Sequence, residues 1–429
     1  MKIAVLVDKF PVISETFVVN QIVGLILRGH KVDIYSSNNI NPNDSHKIHP
    51  DVENYHLLDI TRNHPQIPEN YFSRVLQAIR LISINFHISP LVILRSLNFF
   101  KYGRRAVSLR LLYLALDLIK APAYDIIHCQ FGTLAIDGMI LRDIGAIKGK
   151  LMTSFRGYDI SWFVQQYGNN VYDQLFAKGD FFLTNCEYFK SRSIQLGCDP
   201  KKIVVHGSGI DCSRFPFKDR YLHPGQKIRI ATTGRLIEKK GIEYGICAVA
   251  KVLQFYPNIE YQIIGDGELK ETLQQLIQSL DITDKVKLLG WKTQPEIIDI
   301  LNQSDIFIAP SVTAKDGNQD APVNTLKEAM LMGLPVIATT HGGIPELVED
   351  GISGFLVPER DAEAIATKLI DLIEHPAIWS SMGRAGRAYV ESHYDMNKLN
   401  DELVEIYRQV MMNNFPTQEP VLASVVALQ

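Results

Sequence analysis

The sequence predicts an α/β fold of two doubly wound halves, each a parallel sheet with helices on both faces. Three observations predict it. Short runs rich in Val and Ile alternate with helical patterns along the chain, the order that yields parallel sheets. The alternation occurs twice, in two halves of similar make-up. A length of 429 residues is enough for two or three domains of ordinary size.

In the first half, strands are read at KIAVLVD, KVDIYS, DIIHCQ, KLMTSF, FFLTNC and KIVVHG. In the second half they are read at IRIATTG, YQIIGDG, VKLLGW, IFIAPS, PVIATT and GFLVP. Each run ends in a polar or glycine-bearing turn, and ligands of open α/β sheets bind at those carboxyl ends. The joint is placed in RFPFKDRYLHPGQK (214–227), which has two prolines and no periodicity. The expected divisions are residues 1–218, 219–384, a helical return over 385–413 that packs on the first half, and a loosely held tail over 414–429.

Composition narrows the function. The chain is 46% apolar and 21% charged, with a formal net charge of -3, as in a soluble globular protein with no reason to prefer nucleic acid. Five scattered cysteines without a CxxC pair argue against a disulfide framework and a zinc site. The apolar run in MKIAVLVDKF is too short for a signal peptide. The longest apolar stretch, Leu81–Leu94, is interrupted by Pro90 and is too short to span a bilayer. The expected location is therefore cytoplasmic. One region is unusual: from Tyr71 to Lys120 there are eight basic residues and a single acid, Asp117, among many Leu, Ile and Phe. That pattern suits either helices packed with arginines outward or a surface that lies on an anionic membrane.

Familiar nucleotide motifs are absent. GDGELK has Lys270 and GSGIDC has Cys212 where a dinucleotide fingerprint needs its third glycine, and IGAIKGKL lacks the glycine and hydroxyl of a P-loop. There is no Asp-x-Asp pair, so any diphosphate must be met by side chains and helix termini. In TTGRLIEKKGIEYG, Gly234 lets a ligand approach the backbone, and Arg235 and Lys240 are close enough to converge on one diphosphate. An exposed basic loop is the plain alternative. In DAPVNTLKE, Asp320 precedes Pro322, read as the first helical residue, and Gly333 and Pro335 end the helix. The free amides of Val323, Asn324 and Thr325 form an anion site. Glu328 lies roughly 9 Å further along the axis, the offset between a diphosphate and its ribose.

These pieces resemble glycosyltransferase family 4, retaining enzymes with the GT-B fold of two Rossmann-like domains. The resemblance rests on GRLIEKKG, IIGDGEL, LLGW, IFIAPS, KEAMLMGLPVIATTHGGIPELV and GISGFLVP in the second half. In the first half, FPVISETFVVNQI, DIIHCQFG, SFRGYDIS and GSGIDCSRF are similar to the exopolysaccharide, colanic-acid-type branch. The resemblance implies that a nucleotide-sugar donor binds the second half and a saccharide or lipid-linked saccharide acceptor binds the first, with no cofactor and no metal. It implies that Arg235 and Lys240 bind the diphosphate and Glu328 the ribose. Asp320, where the family usually has Glu, would bind the transferred sugar. Gly265, Gly290 and Trp291 would lie near the base. Ser14, Glu15 and Thr16 fall on the acceptor-side loop, where Ser14 or Thr16 also suits helix capping. His128 ends a first-half strand and reads equally as structural or acceptor-side. Two further departures stand out: Arg156 replaces a sugar-contacting His, and Gln130 replaces another. Asp320 and Arg156 motivate one alternative, a non-catalytic sugar-nucleotide-binding partner of another transferase.

Overall fold

The computed structural model describes residues 1–12, 15–38, 49–63 and 67–415. The first half forms a seven-stranded sheet from β1 (Lys2–Lys9), β2 (Lys31–Asn38), β3 (Thr61–Asn63), β4 (Ile126–Cys129), β5 (Lys150–Phe155), β6 (Phe181–Thr184) and β7 (Ile203–Val205). Their order is β3-β2-β1-β4-β5-β6-β7, with every pairing parallel. The second half adds β8 (Ile228–Thr233), β9 (Ile259–Ile264), β10 (Val286–Gly290), β11 (Ile306–Ala309), β12 (Val336–Thr339) and β13 (Phe355–Val357). Their order, β10-β9-β8-β11-β12-β13, is again wholly parallel.

All twelve expected strands form, and the short edge strand β3 is additional. Both faces of each sheet are covered, so strand residues such as Ile3, Val5, Ile230 and Ile308 are fully buried, as parallel sheets require. In both halves the strand order reverses beside the first strand, between β1 and β4 and between β8 and β11. The loops leaving those four strands therefore border the crevice where ligands bind in such sheets.

The joint is firmer than its composition suggests. Arg220, 2% exposed, donates to the carbonyls of Leu301, Asn302, Ser304 and Met332 and staples the connection to the second half. The helix Trp379–His393 stays with that half, burying Trp379 and Met382 in its core. The chain crosses back at Tyr394–Asp395, rather than at residue 385, because Met396 bonds to Ile210 there. The last helix, Met396–Met411, buries Leu403, Tyr407 and Val410 against Ile3, Val5 and Ile22 of the first half. Phe415 stacks on Phe181, and the rest of the tail lies outside the described residues.

Candidate functional site

The constellation begins at the crevice between β8 and β11. After β8, a short turn over Glu238–Lys240 is fastened to the loop after β11 by a bond from Val312 N to Lys239 O at 2.9 Å. Gly241 makes this approach feasible: its φ is +58°, and a Cβ there would stand 2.0 Å from Pro310 O. The fastening brings Lys240 to Asp320, 80 residues later.

Asp320 is almost fully buried and is held by two lysines. Lys240 Nζ lies 2.7 Å from Oδ2 and Lys239 Nζ 2.9 Å from Oδ1, with Ser311 Oγ donating to Oδ2 at 3.3 Å. Burial alone would raise the Asp320 pKa, but the two ammonium groups outweigh it and hold the carboxyl well below its usual range. Burial likewise lowers the Lys240 pKa, with Asp320 opposing. The backbone of Asp320 is fixed too. Its N–H donates to His341 Nε2 at 2.9 Å, while His341 Nδ1 meets Glu359 Oε1 at 2.6 Å. The carboxylate of Glu359 also accepts from Thr313 N at 2.7 Å. Glu359, His341 and Asp320 thus form one chain that aims the loop.

Arg235 is exposed and makes no side-chain hydrogen bond or ion pair among the described residues. Beside it the glycines serve the fold: a Cβ at Gly265 would stand 1.9 Å from Gly234 O, so these two strand ends meet backbone to backbone. Gly290, the last residue of β10, has φ +71°, and Trp291 after it is 41% exposed.

The helix after Asp320 runs Asn324–Leu331 with Val323 as its N-cap and no side-chain cap. It starts two residues later than expected, and Pro322 lies outside it. The N–H groups of Val323, Asn324 and Thr325 donate to no acceptor among the described residues, so the positive end stays open to an anion. Glu328 is partly buried, and its carboxylate has no hydrogen-bond partner among the described residues. Burial raises its pKa to about 7, with Lys327 opposing. It lines a polar recess with Thr16, Asn20, Gln294 and Asn324. Lys327 is fully buried. It donates to Ser208 O at 2.9 Å in the first half and stands 4.0 Å from the centre of the Tyr394 ring. Burial lowers its pKa to about 7.

The first half presents Arg156 at the end of β5. Its guanidinium donates to Gln130 O, Gln130 Oε1 and Ser208 Oγ and lies 4.4 Å from the centre of the Phe17 ring. Burial lowers its pKa to about 10. Glu15 is the N-cap residue of the helix Thr16–Leu27 without a side-chain cap bond, and Thr16 is its first residue, so Thr16 does not cap. Burial raises the Glu15 pKa to about 7; Arg156 and Arg235, one from each half, oppose the shift, while Asp8 adds to it. Glu15 thus faces positive charge from both domains. Ser14 lies outside the described residues.

His128 is a correction. Register places it opposite Val5, inside the sheet, and its exposure is 0%. Nδ1 meets Tyr407 Oη at 2.6 Å and Nε2 meets Ser154 Oγ at 2.8 Å. Both nitrogens are used in tying the last helix to β4 and β5, so no acceptor contact is left to it.

Lys239, His341, Glu346 and Glu359 escaped sequence reasoning. Glu346 joins the domains: its carboxylate accepts from Glu187 N at 2.7 Å and Tyr188 N at 2.8 Å, at the start of the first-half helix Glu187–Gln195. Gln319, next to Asp320, adds bonds to Ser161 and Tyr188. The loop that carries Asp320 is therefore braced by the opposite domain.

Among the described residues no cluster of three or more His, Cys, Asp or Glu side chains could hold a metal ion. The groups gathered at the crevice are cationic side chains, open amides and isolated carboxylates, suited to an anionic, hydroxyl-rich ligand.

Known proteins share this family and architecture. Residues 14–214 match the family described as Glycosyltransferase Family 4, and residues 213–389 match Glycosyl transferases group 1. The putative colanic acid biosynthesis glycosyltransferase WcaL of Salmonella typhimurium is 32% identical over 413 residues, covering 96% of this chain and 100% of the relative. The amylovoran biosynthesis glycosyltransferase AmsK of Erwinia amylovora is 34% identical over 416 residues, covering 96% and 100%. The crystal structure of Anabaena Alr3699/HepE in complex with UDP and glucose superimposes with a TM-score of 0.67 at 19% identity, over 94% of this chain and 98% of that one; it shares the fold. Sequence, architecture and relatives converge: this chain belongs to glycosyltransferase family 4, in its exopolysaccharide branch, and has the GT-B fold.

Proposed function

We propose that this glycosyltransferase moves a hexose from a UDP- or GDP-linked donor to a growing, lipid-linked polysaccharide, with retention and without a metal, at the cytoplasmic face of a membrane. The observation that carries the reading is the joint placement of Arg235, Lys239, Lys240 and Asp320 beside an open helix N-terminus. The three cations and the Val323–Thr325 amides suit a diphosphate, and Glu328 suits the ribose. Asp320 suits hydroxyls of the sugar once a phosphate draws Lys240 away from it.

In the step proposed, the bond from the anomeric carbon to the diphosphate oxygen breaks. The acceptor oxygen bonds to that carbon from the same face. The acceptor's proton passes to the departing phosphate. Arg235 and Lys240 stabilise the leaving charge from fixed positions, and stabilisation of this kind is commonly the largest catalytic term. The Glu346 brace keeps the cleft closed and limits hydrolysis by water.

The test supplies UDP- and GDP-hexoses with a lipid-linked acceptor and reads nucleoside diphosphate release and the anomeric configuration of the product by NMR. UDP-glucose comes first, because Anabaena HepE was captured with UDP and glucose. Retention and full activity in EDTA support the reading. Inversion, or EDTA inhibition reversed by Mn²⁺ or Mg²⁺, refutes the corresponding part. Binding without turnover on any matched pair favours the non-catalytic alternative.

A further inference from the structure

Between β3 and β4 the first half carries a helical insertion that the transfer site does not use. Helices Tyr71–Asn85 and Pro90–Ser96 bury Ala78 and Ile93 in one small cluster with Leu112 and Tyr113 of the helix Arg110–Leu118. Both helices therefore rest on the same floor, and their other sides face away from it. Those outer sides are apolar. Phe72, Leu76 and Ile79 follow helical spacing and are 72%, 54% and 58% exposed, Leu91 and Leu94 are similarly bare, and Phe100 reaches 89%. Twelve of the twenty-four exposed large apolar side chains among the described residues lie between 71 and 107. A monomer in water seldom leaves so much contiguous apolar surface bare without a partner for it.

Charge selects the partner. No Asp or Glu occurs between residues 70 and 116, while Arg80, Lys101 and Arg104 are exposed beside the apolar side chains. Other basic residues are occupied. Arg105 and Arg110 pair with Asp137, and Arg74 bonds to the carbonyls of Pro68, Glu69 and Ser108. Apolar side chains beside exposed cations, in a segment without a carboxylate, match the boundary between acyl chains and anionic headgroups. No helix here is long and apolar enough to cross a membrane. We infer that residues 71–107 form a monotopic docking surface for an anionic bilayer, with Phe72, Leu76, Ile79, Leu91, Leu94 and Phe100 entering the acyl boundary and Arg80, Lys101 and Arg104 meeting headgroups. The inference deepens the reading of a lipid-linked acceptor, since it specifies how the first half reaches one.

Flotation with phosphatidylcholine vesicles, with and without phosphatidylglycerol, tests this on the full chain. The wild type floats with the anionic vesicles and less at high salt. The variant Phe72→Ser/Leu76→Ser/Phe100→Ser binds roughly tenfold more weakly, while its circular dichroism and turnover on a detergent-solubilised acceptor are retained. Arg80→Ala/Arg104→Ala weakens binding and flattens its salt dependence; Arg105→Ala/Arg110→Ala does so far less. A wild type that stays unbound, or a serine variant that floats unchanged, overturns the inference. So does a wild type that stays unbound and sediments as a dimer that the serine variant loses, because the surface would then belong to a second copy. Turnover without flotation sinks the docking alone, and flotation without turnover sinks the transfer reading alone.

Discussion

Arg156 Nη2 donates to Gln130 Oε1 at 2.7 Å. These are the two first-half positions where the family resemblance leads one to expect histidines, and they prove to be one bonded unit. Gln130 in turn donates to Gln21 Oε1 at 2.6 Å, carrying the contact to the first helix. Either replacement alone leaves a buried polar group unpaired, at a cost of about 1–3 kcal/mol. Denaturant unfolding of Arg156→Ala, Gln130→Ala and the double variant is expected to show losses that are less than additive. Additive losses would show that the pair is not coupled.

Asp320 is the only carboxylate hydrogen-bonded to or ion-paired with Lys239 and Lys240 among the described residues. Removing its charge leaves two buried ammonium groups together, so Asp320→Asn is expected to destabilise by about 3 kcal/mol or more. Because its pKa is depressed, its stabilising contribution is fully present above the unfolded value of 3.8 and is lost as pH falls through the acidic range below that. Urea unfolding from pH 7 downward checks this: the difference between wild type and Asp320→Asn should shrink in acid.

Glu328 titrates near neutrality before ligand binds, with its pKa raised to about 7 by burial. Only the carboxylate form accepts hydrogen bonds from both ribose hydroxyls. Nucleoside diphosphate affinity should therefore rise between pH 6 and 8 by roughly tenfold, and Glu328→Gln should remove most of that rise. Calorimetric titration across the range measures it. An equal pH dependence in the variant would move the ribose elsewhere.

The Glu346 brace predicts a change in partition rather than in binding. Glu346→Ala removes two charge-assisted bonds to the Glu187 and Tyr188 amides, each worth about 1.5–3 kcal/mol. A more open cleft admits water, so the ratio of donor hydrolysis to transfer should rise several-fold, with a larger radius of gyration in X-ray scattering. An unchanged ratio would make the contact merely structural.

Local signals revealed some features and could not reveal others. Val- and Ile-rich runs identified twelve strands because burial on both sheet faces demands them, whereas β3, Thr61–Asn63, carries no such run. Arg235, Lys240, Asp320 and Glu328 stand out as candidates because glycines, a proline and a helix start mark their loops, and the structure brings Lys240 to Asp320. Nothing in the sequence marks Lys239 apart from Lys240, and only the fold shows it on the other oxygen of Asp320. His341, Glu346 and Glu359 act on partners far away in sequence. His128 was misplaced because the length of the strand at DIIHCQ does not say where its register falls against β1. Pro322 resembled a first helical residue, but the chain uses it to pack against the Gly342–Gly343 turn, where a Cβ on Gly343 would meet Pro322 Cδ at 2.5 Å.

The central claim is that Arg235 and Lys240 hold the diphosphate of a nucleotide sugar during transfer. Nucleoside diphosphate release, measured for wild type and Lys240→Ala with the best donor and a lipid-linked acceptor, tests it most directly. The account predicts that turnover falls at least about a hundredfold while circular dichroism stays close to wild type, because Lys239 still pairs with Asp320. Turnover within twofold of wild type in a folded Lys240→Ala protein would contradict it.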